Sequence, residues 1–277
     1  MYKPLTCDVV ATTNCDDASY DGIVLVIDTV ANIPSSLGFL KTPLQELMQI
    51  DSAVEKDVIL MKLVDHAITR LIFAPTGPLN RDYDDVRRFG EAACAGLKRA
   101  LKAGCKSPLL VCPPNSNYDQ AVLVSVLGAL SAVYVPLELR EDVPSKASKA
   151  DKIGVWSEDG DVGKKIVHQA SAIESGRIVY RDIGGSDPER MAPKKVEEYV
   201  QDVFKDTCIQ LNVISDEDTL AKEYPLHAAV NRCARHIDRH KGRIIELEYK
   251  GEGDIKQTPM IVGKVDYLHT YMGENFQ

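Results

Sequence analysis

Apolar positions along the chain alternate between two periods, and the alternation itself outlines the fold. Residues 22–29 (GIVLVIDT) form an unbroken β-branched and aliphatic run, the pattern of a strand buried on both faces. Residues 43–50 (PLQELMQI) change to helical spacing, with Pro43 placed to start the helix. Residues 57–64 (DVILMKLV) and 70–74 (RLIFA) read as two strands joined by a tight turn. From Tyr83 to Ala103, Val86, Phe89, Ala93, Leu97 and Leu101 recur every three or four residues, the stripe of an amphipathic helix. Asp82 is placed to cap its start and Gly104 to stop it. Residues 108–112 predict a strand, residues 118–133 a helix apolar nearly all round, and residues 133–139 (VYVPLEL) an edge strand interrupted by Pro136.

Residues 140–151 are charged and have little to bury, so a surface connection closes the first region there. A strand over 153–157 carries Trp156, and a linking helix runs from Asp161 to about Tyr180. The stretch RDIGGSDPERMAPKK predicts a structured turn, and Ala192-Pro193 opens a helix with Val196, Tyr199, Val200, Val203 and Phe204 on one face. Strands are expected at 208–214, 243–249 and 259–264 (PMIVGK), with a helix from residue 224 or 225 to about His240. Strand and helix in this rhythm predict an α/β fold with a largely parallel or mixed sheet. The domain reading is 1–158 for a first α/β domain, 159–185 for the linking helix and turn, and 186–277 for a second region.

Charge and cysteine content narrow the class. A formal net charge of -8 opposes a nucleic-acid or membrane-surface partner, since both require a concentrated positive field. The seven cysteines include no CxxC pair and fit a reducing compartment. With no signal-peptide pattern and no long apolar window, the expected location is cytoplasmic.

Four places carry candidate chemistry. Lys264 ends the PMIVGK run, which would deliver its amine to a sheet edge. Cys233, His236 and His240 are three and four apart, so one helix would put all three on a face that could hold a soft divalent metal. The plainer reading is a basic helix end with one cysteine. Gly184-Gly185-Ser186-Asp187 could cradle an anion or simply make a capped turn. Asp28, ending the first apolar run, is a lone carboxylate whose ordinary role is a cap. GxSxG, HExxH and EF-hand patterns are absent from the sequence, which removes support for serine hydrolase, zincin and calcium-sensor readings.

The segments RDIGGSDPERMAP, EYPLHAAVNRCAR, RIIELEYKG and PMIVGK together resemble the cytosolic leucyl aminopeptidase family, especially an animal branch with the RDIGG-DPERM signature. The resemblance implies a macro-like N-terminal α/β domain, a linking helix, and the first part of a catalytic domain. It also implies release of N-terminal amino acids from peptides with two divalent metals, zinc or manganese, and assembly into homo-oligomers. Lys264 matches the lysine of the family's VGKG motif, which is its first metal ligand. After it the sequence departs: Val265 stands where the family has glycine, and His269 where it has aspartate. Asp266, His269 and Glu274 are ligands by type only. The resulting expectation is a truncated isoform, inactive on its own, with no catalytic residue assigned and no metal stably bound. The alternative is a non-catalytic module assembling with full-length family members.

Overall fold

The computed structural model describes residues 5–234 and 236–263. It divides into two compact units, with the boundary between Val179 and Tyr180.

The first unit is a six-stranded sheet in the order β1-β6-β5-β2-β4-β3. Its strands are β1 (Asp8–Thr12), β2 (Gly22–Ile27), β3 (Ile59–Lys62), β4 (Arg70–Pro75), β5 (Pro108–Val111) and β6 (Lys152–Trp156). All neighbours are parallel except β3, which pairs antiparallel with β4 at one edge. The helices are α1 (Gly38–Met48), α2 (Arg87–Lys102), α3 (Ala121–Val133), the short α4 (Leu137–Asp142) and α5 (Gly160–Gly185), the last of which runs across the boundary between units.

Alternation along each strand sorts the core into two layers. Val24, Val26, Ile72, Ala74, Leu110 and Val155 pack beneath α2 and α3. Their sequence neighbours Ile23, Leu25, Leu71, Phe73, Leu109 and Trp156 pack on the other side with Leu37, Leu40 and Leu44. A period of two puts successive side chains on opposite faces, so a continuous apolar run is what a sheet covered on both sides requires. α2 and α3 approach so closely that a Cβ on Gly128 would lie 2.1 Å from the carbonyl oxygen of Gly90.

Local side-chain chemistry moves several boundaries from those the spacing predicts. α2 begins at Arg87 instead of Tyr83, because the preceding carboxylates are engaged in turns. Asp84 accepts from the Arg81 backbone N–H (3.0 Å) and from its guanidinium, and Asp85 accepts from the Arg87 N–H (2.8 Å). Residues 133–139 hold no strand: the chain passes Pro136 straight into α4, since proline presets the first turn of a helix more readily than it joins a ladder. Pro43 lies inside α1 and does not start it. The strand β1 and the helix α7 described below were not legible in the spacing.

The Arg81 hydrogen bond, helped by a backbone N–H and by Arg88, holds the Asp84 carboxyl well below its usual range. A depressed carboxylate contributes stability above the unfolded-chain value of about 4 and loses it as pH falls toward the folded value. Asp84→Asn is therefore expected to melt below the wild type at pH 7, with the gap narrowing by about pH 3. Melting temperatures that differ equally at both pH values would contradict the assignment.

The second unit contains α6 (Pro193–Phe204), β7 (Gln210–Ile214), α7 (Glu217–Glu223), α8 (Pro225–Asn231) and β8 (Ile244–Glu248). β7 and β8 form an antiparallel pair, registered from Gln210↔Glu248 to Ile214↔Ile244. α6 buries Val196, Val200 and Val203, the face its spacing predicts. Asp216 caps α7 by accepting the Thr219 N–H at 2.8 Å. Among the described residues no helix is long and apolar enough to cross a membrane.

Candidate functional site

The second unit holds a half-open, largely apolar pocket of about 380 Å³ between α6 and β8. Val196 and Val200 face it from α6, Ile245 and Leu247 from β8, and Ile183 from the end of α5. Its polar wall is the loop before β8, with Arg243, Gly242 and the ring of His227. Gly263, immediately before Lys264, also lines it.

Arg243 organises this wall. Its Nε donates to the Glu197 carboxylate on α6, and its Nη1 donates to the Lys241 carbonyl at 2.5 Å. The two charged side chains are only 11% and 21% exposed, so each depends on the other for compensation. Arg243→Met is expected to cost about 3 kcal/mol, because it leaves the Glu197 carboxylate without its partner in a poorly hydrated site. Chemical denaturation checks this, and the double variant Arg243→Met/Glu197→Leu should recover part of the loss; a single-variant cost near zero would remove the pair from the unit's framework.

His227 packs against Gly242 so tightly that a Cβ there would lie 2.6 Å from the imidazole Cε1. The His227 Nδ1 is buried and has no hydrogen-bond partner. Glu246, on β8, accepts from Asn212 Nδ2 (2.8 Å) and from the Tyr224 hydroxyl (3.0 Å). The hydrogen bond to Glu246 raises the Tyr224 pKa. The buried Asp182 accepts from the Tyr199 hydroxyl at 2.7 Å.

The residues singled out by sequence separate in space. The helix expected to continue to His240 ends at Asn231, whose Oδ1 instead accepts the Gly242 N–H at 2.7 Å. Cys233 therefore turns its thiol to the Val230 carbonyl, and His240 lies in a separate 3-10 turn with its Nε2 3.1 Å from Glu189. Cys233, His236 and His240 do not form a metal site. Gly184 and Gly185 complete the last turn of α5, where exposed carbonyls and not N–H groups face outward. The Asp187 carboxylate already accepts the Glu189 and Arg190 N–H groups, so this stretch is a turn and not an anion cradle. Asp28 accepts from its neighbour Thr29 N–H, and both of its carboxylate oxygens accept from the Asn32 amide nitrogen Nδ2, as a local cap does.

Residues 259–263 are not a strand. Pairing defines a strand, and among the described residues the β7-β8 sheet has no third member. Met260, Ile261 and Val262 are 82–92% exposed. Lys264, Asp266, His269 and Glu274 lie outside the described residues. Among the described residues no group of three or more His, Cys, Asp or Glu could hold a metal ion.

Sequence comparison finds a family match within the second unit. The catalytic domain of the cytosol aminopeptidase family matches residues 178–265, the region that contains the cavity wall and ends beside Lys264. Residues 178–265 are thus similar to the catalytic domain of the cytosol aminopeptidase family. A curated Caenorhabditis elegans protein, named "Putative aminopeptidase W07G4.4", is 38% identical over 278 aligned positions, covering 94% of this chain and 51% of that protein. The chain thus spans about half the length of this relative.

Solved structures of leucine aminopeptidases share the fold. A tomato leucine aminopeptidase variant superposes with a TM-score of 0.67 at 14% identity, covering 91% of this chain and 52% of the other. A Trypanosoma brucei leucyl aminopeptidase bound to bestatin gives 0.58 at 14% identity, covering 91% and 49%. Within the cytosol aminopeptidase family region, Arg243, Glu197 and His227 were missed by sequence reasoning. Glu197 and Arg243 are 46 residues apart, and nothing in the local spacing of either points to the other.

Proposed function

We propose that the chain belongs to the machinery of metal-dependent release of N-terminal amino acids from peptides, and that its 277 residues alone do not complete that reaction. The family match over residues 178–265 carries the first part. The family implies two divalent ions, zinc or manganese, with Lys264 as a ligand of the first. The described residues do not fit a two-ion centre, because they offer no cluster of three suitable donors and an ion of this kind needs at least about three protein ligands.

In this reading residues 1–158 are a macro-like first domain, 159–185 the link, and 186–277 the opening part of a catalytic region whose sequence diverges from 265. Peptides are the substrate class, and homo-oligomers or mixed oligomers with longer relatives are the assembly. A second reading, a non-catalytic module that docks on a longer relative, is favoured by one observation: Ile255, Met260, Ile261 and Val262 are all more than 80% exposed, and exposed apolar surface of this kind marks an interaction site. Metal-supplemented peptidase assays of the purified chain test the proposal.

A further inference from the structure

The C-terminal end of α2 faces the edge pair β3-β4 across an open groove of about 980 Å³. In the antiparallel ladder Lys62 stands directly opposite Arg70, and like charges placed so destabilise a strand pair. Arg99 and Lys102, three apart on α2, form a second like-charged pair on one side of the helix. All four side chains line the groove, and no carboxylate does.

Elsewhere the first unit compensates its arginines: Arg81 and Arg88 bind Asp84, and Arg87 binds Asp85. Among the described residues the side chains of Lys62, Arg99 and Lys102 make no hydrogen bond or ion pair. Arg70 is anchored by a 3.1 Å hydrogen bond from Nη1 to the Asp21 carbonyl. A cation is favoured at a helix C-terminus, and a lysine on an edge strand discourages pairing. Each rule accounts for one side of the groove. Neither accounts for two like-charged pairs facing one another without an acid between them, in a chain with a net charge of -8.

We propose that this groove binds a compact anion carrying two or more phosphate groups. Guanidinium forks match phosphate oxygens in geometry, and lysines add compact positive charge. The ligand is compact because the acidic remainder of the chain repels a long polyanion beyond the groove. Inorganic polyphosphate, nucleoside triphosphates and inositol phosphates share the recognised chemistry.

Calorimetric titration of the full 277-residue chain with inorganic triphosphate, at about 10 mM ionic strength where exposed charges are little screened, tests the site. Saturable one-site binding is expected. Arg99→Gln/Lys102→Gln should weaken it by at least about tenfold, a loss of about 1.4 kcal/mol. Lys164→Gln, a control at an exposed ion pair with Asp161, should leave it unchanged. Equal melting temperatures across these proteins show that folding is retained. Parallel titrations with ATP and inositol hexakisphosphate distinguish the sources: tighter binding of ATP assigns a nucleotide, and tighter binding of the inositol ring assigns a cyclic polyphosphate. Absence of saturable binding by all three anions overturns the proposal. So does unchanged affinity in the double variant, or a glutamate-rich peptide binding more tightly than triphosphate.

Discussion

Given a leucine chromogenic substrate and added manganese or zinc, the purified chain is expected to turn over no faster than the metal-free blank. Family-type catalysis would exceed that blank by about 10⁶-fold or more, so the measurement is decisive even with impure metal. The expectation rests on ligand number. Lys264 alone cannot bind two ions. Val265 and His269 stand where the family pattern has glycine and aspartate, and Asp266, His269 and Glu274 share only residue type with the family's ligands. Among the described residues no donor cluster compensates for this. Metal-dependent turnover abolished by Lys264→Ala would overturn the reading, and loss on His269→Ala as well would show that the tail supplies ligands of its own.

Gly128→Ala is expected to destabilise the first unit by about 3 kcal/mol, where the same substitution at Gly176 should stabilise it by up to about 1 kcal/mol. Both glycines are helical, in α3 and α5 respectively. Alanine is the better helix former by about 1 kcal/mol, so propensity alone predicts a gain at both. Packing decides otherwise at Gly128, where the new methyl would meet the Gly90 backbone at 2.1, 2.6 and 2.7 Å. Backbone cannot rotate away as a side chain can, so the helices must separate or tilt, disturbing the packing beneath them. At Gly176 nothing lies within 4 Å, and the propensity gain survives. Urea unfolding followed by circular dichroism measures both; a stabilised Gly128→Ala protein would mean that the α2-α3 contact is looser than described.

Much of the first unit was legible because its strands are buried on both faces. Residues 22–27 have no polar position, and only a sheet covered by two layers uses such a run. The helix face of α6 was legible for a related reason, since Val196, Val200 and Val203 repeat at one period and bury together. β1 escaped notice because none of its five positions is fully buried and the strand joins β6 only after some 140 intervening residues. The short α7, in a polar stretch, offered only its Asp216 cap as a signal. The helix expected to reach His240 ends at Asn231, whose side chain closes onto Gly242, a tertiary contact that no periodicity records.

The candidate site shows the same division. Motif segments along residues 181–264 carried the family resemblance, because family motifs are local and keep their spacing. Sequence alone therefore determined the fold class, the covered sheet and the family resemblance of residues 178–265. Only the tertiary structure decided that Arg243 clips its loop to Glu197 on α6, that Cys233 and His240 separate, and that Lys62 and Arg70 face Arg99 and Lys102 across an acid-free groove. The physical reason is range: periodicity and capping act within a few residues, whereas charge compensation and close packing depend on which distant segments the fold brings together.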